Sequence, residues 1–262
     1  MATTADRVSR ADGYGRSTRF YEIGTQRYPS VTVILNAVNK PALIPWAAKQ
    51  ERETIYAAVR RLLGDAEVKR DNFLLSLEAA VGREKAHSRE LKKAGTIGSE
   101  CHHLIEWHLR QDLKERVGPA PAVSEKALWA YMVYEDWRKA ANLSVTMIEQ
   151  VVYSGRYGYA GTMDWCGEID HEGKRVMVLG DFKTGKAVYK EAHLQVAAYA
   201  HALVEMGYAD TLPAGCIVRL PKVESDPKPE VVVIPAERMK VLHKVFLNVL
   251  ELWKFLDDAG GS

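Results

Sequence analysis

Two hydrophobic periods divide this chain. Between Pro41 and Asn142 apolar residues recur at helical spacing, with breaks at Gly64-Asp65, Gly82, Ala94-Gly95 and Gly118-Pro-Ala-Pro121. Ser124 followed by Glu125 starts the last of these helices, and Asn142 can end it. After Asn142 the period changes to two. Val145 to Tyr153 alternates apolar and polar up to a turn at Gly155-Arg-Tyr-Gly158. Thr162 to Ile169 reads as the next strand, and His171-Glu-Gly-Lys174 closes a hairpin onto a third, Arg175 to Lys183. Its run Val176-Met-Val-Leu179 marks that strand as buried and central. A helix is predicted from about Tyr189 to Met206, with Leu194, Ala197, Ala198 and Leu203 at helical spacing, and Cys216 to Leu220 returns as a fourth strand. The order is β-β-β-α-β.

The flanks extend this reading. Residues 1–16 are small, polar and charged and are expected to form a mobile tail. Phe20 to Ile23, the turn at Gly24-Thr25 and Arg27-Tyr28 predict a small hairpin, after which Ser30 can cap a short helix through Ala37. Pro221 to Pro229 reads as a polar loop, Val231 to Ile234 as a strand, and Ala236 to Leu256 as an amphipathic closing helix. The expected division is a tail at 1–16, a mainly helical region at 17–143 and an α/β core at 144–262, with the helix over 95–110 reaching the core's site.

Candidate chemistry concentrates on the central strands. Residues i and i+2 of a strand share a face, so Asp181 and Lys183 project together, and Asp164 from the neighbouring strand can join them. Two hard oxygen donors beside a cation make a place to hold Mg²⁺ against a phosphate. Gln195 and Tyr199, four apart, lie on one face of the following helix. Taken singly, each is more often a solvated strand or helix residue, but Asp181 and Lys183 follow a buried run. Asp181-Phe-Lys-Thr-Gly also resembles the phosphorylated aspartate of ion-pumping ATPases, although there the Asp and Lys are adjacent, and membrane spans are required.

Composition narrows the functional classes. At 262 residues and 47% hydrophobic the chain can bury a sizeable core as one domain. A formal charge of +2 is too small for a general nucleic-acid glue, so a DNA enzyme of this composition has to gather its cations in a groove. Lys85, Arg89 and Lys92 or Lys93, spaced along one predicted helix, are one candidate set, Arg60-Arg61 another, and Lys186 a possible phosphate contact. An ordinary solvated helix face, carrying Glu84 and Glu90 as well, is the plainer alternative. Cys101, Cys166 and Cys216 are too scattered for a zinc knuckle, a disulfide framework or an iron–sulfur cluster, so buried thiols in a reducing cytoplasm are expected. With no secretory leader and no apolar run of about 18 residues, neither secretion nor membrane insertion is expected.

The strand order and these residues together resemble the PD-(D/E)XK nuclease superfamily, specifically its RecB-like exonuclease branch, over roughly residues 95–221. The matching segments are Gly98-Ser-Glu-Cys-His102-His-Leu-Ile-Glu106, Gly161-Thr-Met-Asp164, Asp181-Phe-Lys183, and Gln195 with Tyr199. Glu149, in Ile148-Glu-Gln-Val151, matches a further acid on the first core strand of that branch. Tyr28-Pro-Ser-Val-Thr32 and Leu43-Ile-Pro-Trp46 are similar to the amino-terminal part of phage and mitochondrial exonucleases. The resemblance implies a mixed α/β nuclease core with the helical region packed on or over an active cleft. Trp46, Trp107 and Tyr131 would there be available to stack on bases, or else be core packing.

The same resemblance implies a DNA exonuclease using Mg²⁺ or Mn²⁺, of phage or bacterial type, with a single-strand-annealing or recombination protein as a possible partner. Asp164, Asp181, the Phe182 carbonyl and His102 would hold the metal. Lys183 would orient the attacking water, Gln195 and Tyr199 would position the strand or the metal's surroundings, and Glu149 leaves room for a second ion. Two other readings stay open: a site- or structure-specific endonuclease, and a DNA-binding recombination partner that keeps the fold without catalysis. On the predicted helix, His103 points opposite the apolar face and His102 lies on its border, where a residue at a cleft rim would sit.

Overall fold

A computed structural model describes residues 5–11, 17–38, 43–64, 72–226 and 228–258. It divides into two compact units, one formed by 1–38 with 98–262 and the other by 39–97. The region expected as one block over 17–143 thus falls in both units, 17–38 and 98–143 in the unit that holds the sheet and 39–97 in the other. In chain order the strands and helices are β1 (Ala5–Ala11), β2 (Ser17–Ile23), β3 (Gln26–Pro29), α1 (Val31–Leu35), α2 (Leu43–Leu63), α3 (Phe73–Val81) and α4 (Ala86–Asp112). They continue with α5 (Glu125–Ala140), β4 (Ser144–Ser154), β5 (Tyr159–His171), β6 (Lys174–Lys183), α6 (Lys190–Glu205), β7 (Ala214–Arg219), β8 (Glu230–Ile234) and α7 (Ala236–Asp258).

The larger unit is mixed α/β. Its five-stranded sheet runs β4-β5-β6-β7-β8, antiparallel throughout except for the parallel pair β6–β7, which α6 connects. A parallel pair needs a crossover of at least a dozen residues, and α6 supplies it. Its buried face is rich in alanine (Ala192, Ala197, Ala198, Ala200 and Ala202), which lets the helix approach the strands closely. Val31, Ile34, Met163, Cys166, Leu179, Ile217, Met239 and Phe246 complete the core on that side, so α1, α6 and α7 share it. On the other side the filling is aromatic. Phe182 lies edge-on to Tyr134 at 5.3 Å and 88°, and Trp137 stands 6.0 Å from Trp165. Such edge contacts are the favoured geometry of aromatic pairs.

Two local features depart from expectation. The segment expected as a tail forms β1 over Ala5–Ala11, hydrogen-bonded antiparallel to β2, and β2 pairs with β3 as the predicted hairpin. The break expected at Ala94-Gly95 does not occur. α4 runs unbroken through Gly95, because a lone mid-helix glycine costs only about 1 kcal/mol against alanine, less than the helix hydrogen bonds retained. The predicted cap is in place: Ser30 Oγ accepts from the Val33 N–H at 3.2 Å. Cys101, Cys166 and Cys216 are all buried free thiols. Among the described residues no helix is long and apolar enough to cross a membrane.

The unit of residues 39–97 holds α2, α3 and the first part of α4, with α2 packed on α3. His87 Nδ1 lies 2.9 Å from Glu51 Oε1, and the Trp46 ring stands edge-on to His87 at 6.5 Å. Trp46 is thereby a packing residue within this unit. Tyr131, in the larger unit, is likewise engaged, its hydroxyl 2.6 Å from His108 Nδ1.

Between α6 and α7, His201 and His243 stack face to face, centroids 3.8 Å apart and planes within 10°. The Tyr159 hydroxyl donates to the Ala198 carbonyl, so the 3.0 Å contact with His243 Nε2 needs the imidazole nitrogen to carry the proton. Burial pushes His243 down to about 4, with His201 adding to the effect, and burial followed by Lys240 lowers His201. For a histidine lowered by folding, the unfolded chain takes up the proton first. Its stabilising contribution is complete above the unfolded value near 6.5 and is lost as pH falls toward 4. Urea unfolding across that window should therefore show a shallower pH dependence for His243→Gln than for the wild type; parallel curves would remove the pair from the acid sensitivity. A methyl group at Gly95 would meet nothing within 4 Å, so Gly95→Ala should raise the unfolding free energy by about 1 kcal/mol, and a lower midpoint would contradict that.

Candidate active site

The site grows from the place where β5 leaves β6. Their ladder ends at Trp165↔Gly180. Gly180 is required there, because a Cβ would lie 1.8 Å from Trp165 Cε2. Strict alternation would put Met163 and Trp165 on one face, yet Met163 joins the core beneath α6 while Trp165 stacks on Phe182 at 5.8 Å. The strand thus turns over at Asp164, whose side chain replaces the next rung: the Phe182 N–H donates to Asp164 Oδ2 at 2.7 Å. Glu149 lies across from Asp164, between the pairs Ile148↔Trp165 and Gln150↔Met163, and carries a φ of 46°. A left-handed backbone at a non-glycine strand residue is strained.

Past the fork, β6 keeps its parallel pairing to β7 through Asp181↔Ile217 and Lys183↔Arg219. Asp181 and Lys183 share a face, as their spacing predicts. Asp181 is 1% exposed, and its carboxylate lies 2.6 and 2.7 Å from Lys183 Nζ. Lys183 Nζ also donates to Gln195 Oε1 at 3.2 Å, and Gln195 Nε2 donates to the Tyr199 hydroxyl at 3.3 Å. Tyr199 fits over the strand because position 161 is glycine, where a Cβ would sit 2.3 Å from the ring. The four groups form one chain of contacts from strand to helix.

Burial pushes the Asp181 carboxyl up to about 6; Lys183 pulls it down and Asp164 pushes it further up. Burial alone would lower the Lys183 ammonium, but Asp181 and then Asp164 outweigh it, and the lysine stays charged above its ordinary value. Burial raises the Tyr199 phenol well above its ordinary value, so it remains protonated as a donor. Asp181 Oδ2 takes no directed hydrogen bond beyond the ion pair, an electron-rich atom with coordination capacity left over.

The one-turn spacing Gly98-x-x-x-His102 has a steric basis. A Cβ at 98 would lie 2.9 Å from Thr184 Oγ1, so α4 comes close to the end of β6 only with glycine there. One turn on, His102 Nδ1 stands 3.5 Å from Asp164 Oδ2, and its ring meets Phe182 edge-on at 6.4 Å. His102 is half-buried and His103 exposed, the split that helical phase predicts. Asp164, Asp181, Lys183, Gln195, Tyr199 and His102 are thus brought together, with Glu149 level with Asp164 on the adjacent strand. As they stand, no three His, Cys, Asp or Glu side chains among the described residues form a ready metal cluster. Asp181 is turned to Lys183 and Asp164 to the Phe182 N–H.

The expected substrate contacts are less convergent. Lys186 is exposed on the loop between β6 and α6. Lys85, Arg89, Lys92 and Lys93 lie on α4 or just before it, in the unit of residues 39–97, and the lysines are exposed. Arg89 is tied to the α3–α4 connection, donating to the carbonyls of Val81 and Glu84, which leaves it poorly placed to track a phosphate. Arg60 and Arg61 are exposed at the end of α2. One contributor escaped the sequence reading: the buried Tyr21, whose hydroxyl lies 3.0 Å from Thr162 Oγ1, two residues before Asp164. Its only sequence signal is a strand aromatic 141 residues away.

Compared with known proteins, the sequence matches no family model and no curated protein.

The strain at Glu149 has a clean consequence. Glu149→Ala removes the carboxylate but still pays the Cβ clash of the left-handed backbone, whereas Glu149→Gly keeps that backbone without the clash. The glycine variant should be more stable than the alanine variant by about 1 kcal/mol in denaturant unfolding. Equal stabilities would show the strand relaxing at this position.

Proposed function

We propose that the chain is a divalent-metal-dependent deoxyribonuclease of the PD-(D/E)XK type, acting as an exonuclease of the RecB-like branch with Mg²⁺ or Mn²⁺. The observation that carries this reading is the almost fully buried Asp181 bonded to Lys183 two residues on, at a strand fork that Asp164 occupies. A structural ion pair has no need of a second carboxylate that pushes the first upward, since each uncompensated buried charge is costly. A divalent cation held by both carboxylates would relieve that repulsion, and the imidazole of His102 beside Asp164 would add a donor of suitable chemistry. By their chemistry the residues present fit the ion, Asp164, Asp181, His102 and the Phe182 carbonyl being the groups that would hold it and Glu149, across from Asp164, the residue proposed for a second.

When bound, the metal supplies a lowered pKa for coordinated water and neutralises charge gathering on the phosphate. The protein's own groups do the rest. Lys183, held by both Asp181 and Gln195, presents a fixed ammonium to orient the attacking water and to stabilise the developing negative charge. Gln195, anchored on Tyr199, keeps that ammonium from following Asp181 alone. The aromatic floor of Phe182, Trp165 and Trp137 makes β6 rigid beneath the reacting groups, and preorganisation of this kind is where electrostatic catalysis gains its advantage. DNA is the proposed partner, with a recombination or annealing protein as a possible second.

Linear and covalently closed circular DNA, incubated separately with Mg²⁺, with Mn²⁺ and with excess EDTA, test the reading. Linear DNA should be consumed from its ends, circles should survive, and EDTA should abolish cleavage. Asp181→Asn and Asp164→Asn, checked by circular dichroism for an intact fold, should each lose about a thousandfold or more in turnover. Cleavage of closed circles would move the function to an endonuclease, and full activity in EDTA or in Asp181→Asn would overturn it.

A further inference from the structure

α7 has a second apolar face that stays exposed among the described residues. Met239, Leu242, Phe246 and Leu250 bury one side of the helix in the core. On the opposite side Val241, Val245, Leu252 and Phe255 remain 46%, 43%, 45% and 70% exposed, with exposed Asn248 among them. Single exposed apolar residues need no explanation, but an ordered row does. The steps between these five positions are four, three, four and three residues. That alternation is the seam by which one α-helix packs knobs-into-holes against another. A helix is the occupant that such a row fits.

The row also has a centre. Val241 and Phe255 lie seven residues to either side of Asn248, while Val245 lies three before it and Leu252 four after. Laid antiparallel on its own copy about a two-fold axis at Asn248, the helix sets each valine against a larger Leu or Phe and Asn248 against itself. Isologous two-fold contact is the commonest way a surface pairs with its own copy. Charge agrees with this direction. Lys244 and Glu251 are exposed beside the seam, one turn to either side of Asn248, so each Lys244 meets Glu251 of the second copy. Glu251 also accepts from Lys254 at 2.8 Å, an exposed i,i+3 contact of little energy that does not compete strongly. A parallel pair would leave these charges unmatched.

We propose that the chain associates with a second copy of itself through this face of α7, the two helices antiparallel. The partner Asn248 amides hydrogen-bond across the axis, fixing register where an all-apolar seam could slide. The face lies on the side of α7 turned away from the sheet, so the association stands independently of the proposed chemistry.

Sedimentation equilibrium of the whole chain should show a concentration-dependent dimer. Leu252→Lys, at an exposed position, should raise the dimer dissociation constant at least about tenfold with the thermal unfolding curve retained. Lys244→Glu alone should weaken the dimer, and Lys244→Glu combined with Glu251→Lys should restore it. Direction is read by cross-linking: under oxidation Asn248→Cys should join to its own copy, whereas Val241→Cys and Phe255→Cys should not, the native thiols being buried. A wild-type chain that stays monomeric at about 100 µM overturns the proposal. So does a dimer that Leu252→Lys leaves intact, or self-cross-linking at all three positions.

Discussion

The central sheet depends on one interruption: the β5–β6 ladder stops at Trp165↔Gly180, and a side chain supplies the next rung. A buried backbone N–H without a partner costs about 1–3 kcal/mol, so β5 can leave β6 only if something accepts from Phe182. Asp164 does so. Its carboxylate is thereby fixed in the fork, the strand turns over at that residue, and Trp165 swings across to the glycine that admits it. Phe182 and Trp137 pack against the indole and Tyr134 packs edge-on to Phe182, which leaves Asp181 and Lys183 on the α6 side of a strand held firmly from behind.

Unfavourable terms gather at the same place. A nearly buried carboxylate, a second carboxylate that raises it and a left-handed glutamate on the next strand all lie within the fork. Elsewhere in the unit an alanine-rich crossover helix and interlocked aromatics fill the core, and Arg219 is satisfied by Asp226 and Glu230. Strain and buried charge persist where the surrounding fold over-determines them, and they concentrate where a protein does chemistry.

Much of this was legible in the residues. Alternation located β4, an unbroken apolar run located β6, period 3.6 located α6, and the i,i+2 and i,i+4 spacings placed Asp181 with Lys183 and Gln195 with Tyr199. Helical phase separated His102 from His103. What stayed hidden is set by distant or competing forces. The β1 strand forms from a polar segment because β2 offers it a hydrogen-bonding edge, which no local pattern announces. α4 passes through Gly95 because helix continuity outweighs one glycine, and the boundary between the units falls inside that helix. The turnover at Asp164 follows from a contact between Trp165 and Gly180, fifteen residues apart, and Tyr21 reaches Thr162 only through the fold.

The most direct test of the fork is whether it binds a divalent cation at all, independent of any substrate. Mn²⁺ in solution gives a six-line paramagnetic resonance signal that is lost on binding, so titrating the protein into Mn²⁺ counts sites without DNA. The wild-type chain should take up at least one ion, His102→Ala should bind more weakly by about tenfold while His103→Ala does not, and Asp181→Asn should leave the signal undiminished. Equal uptake by the wild type and Asp181→Asn, or none by either, would contradict the assignment of Asp164 and Asp181 as a metal site.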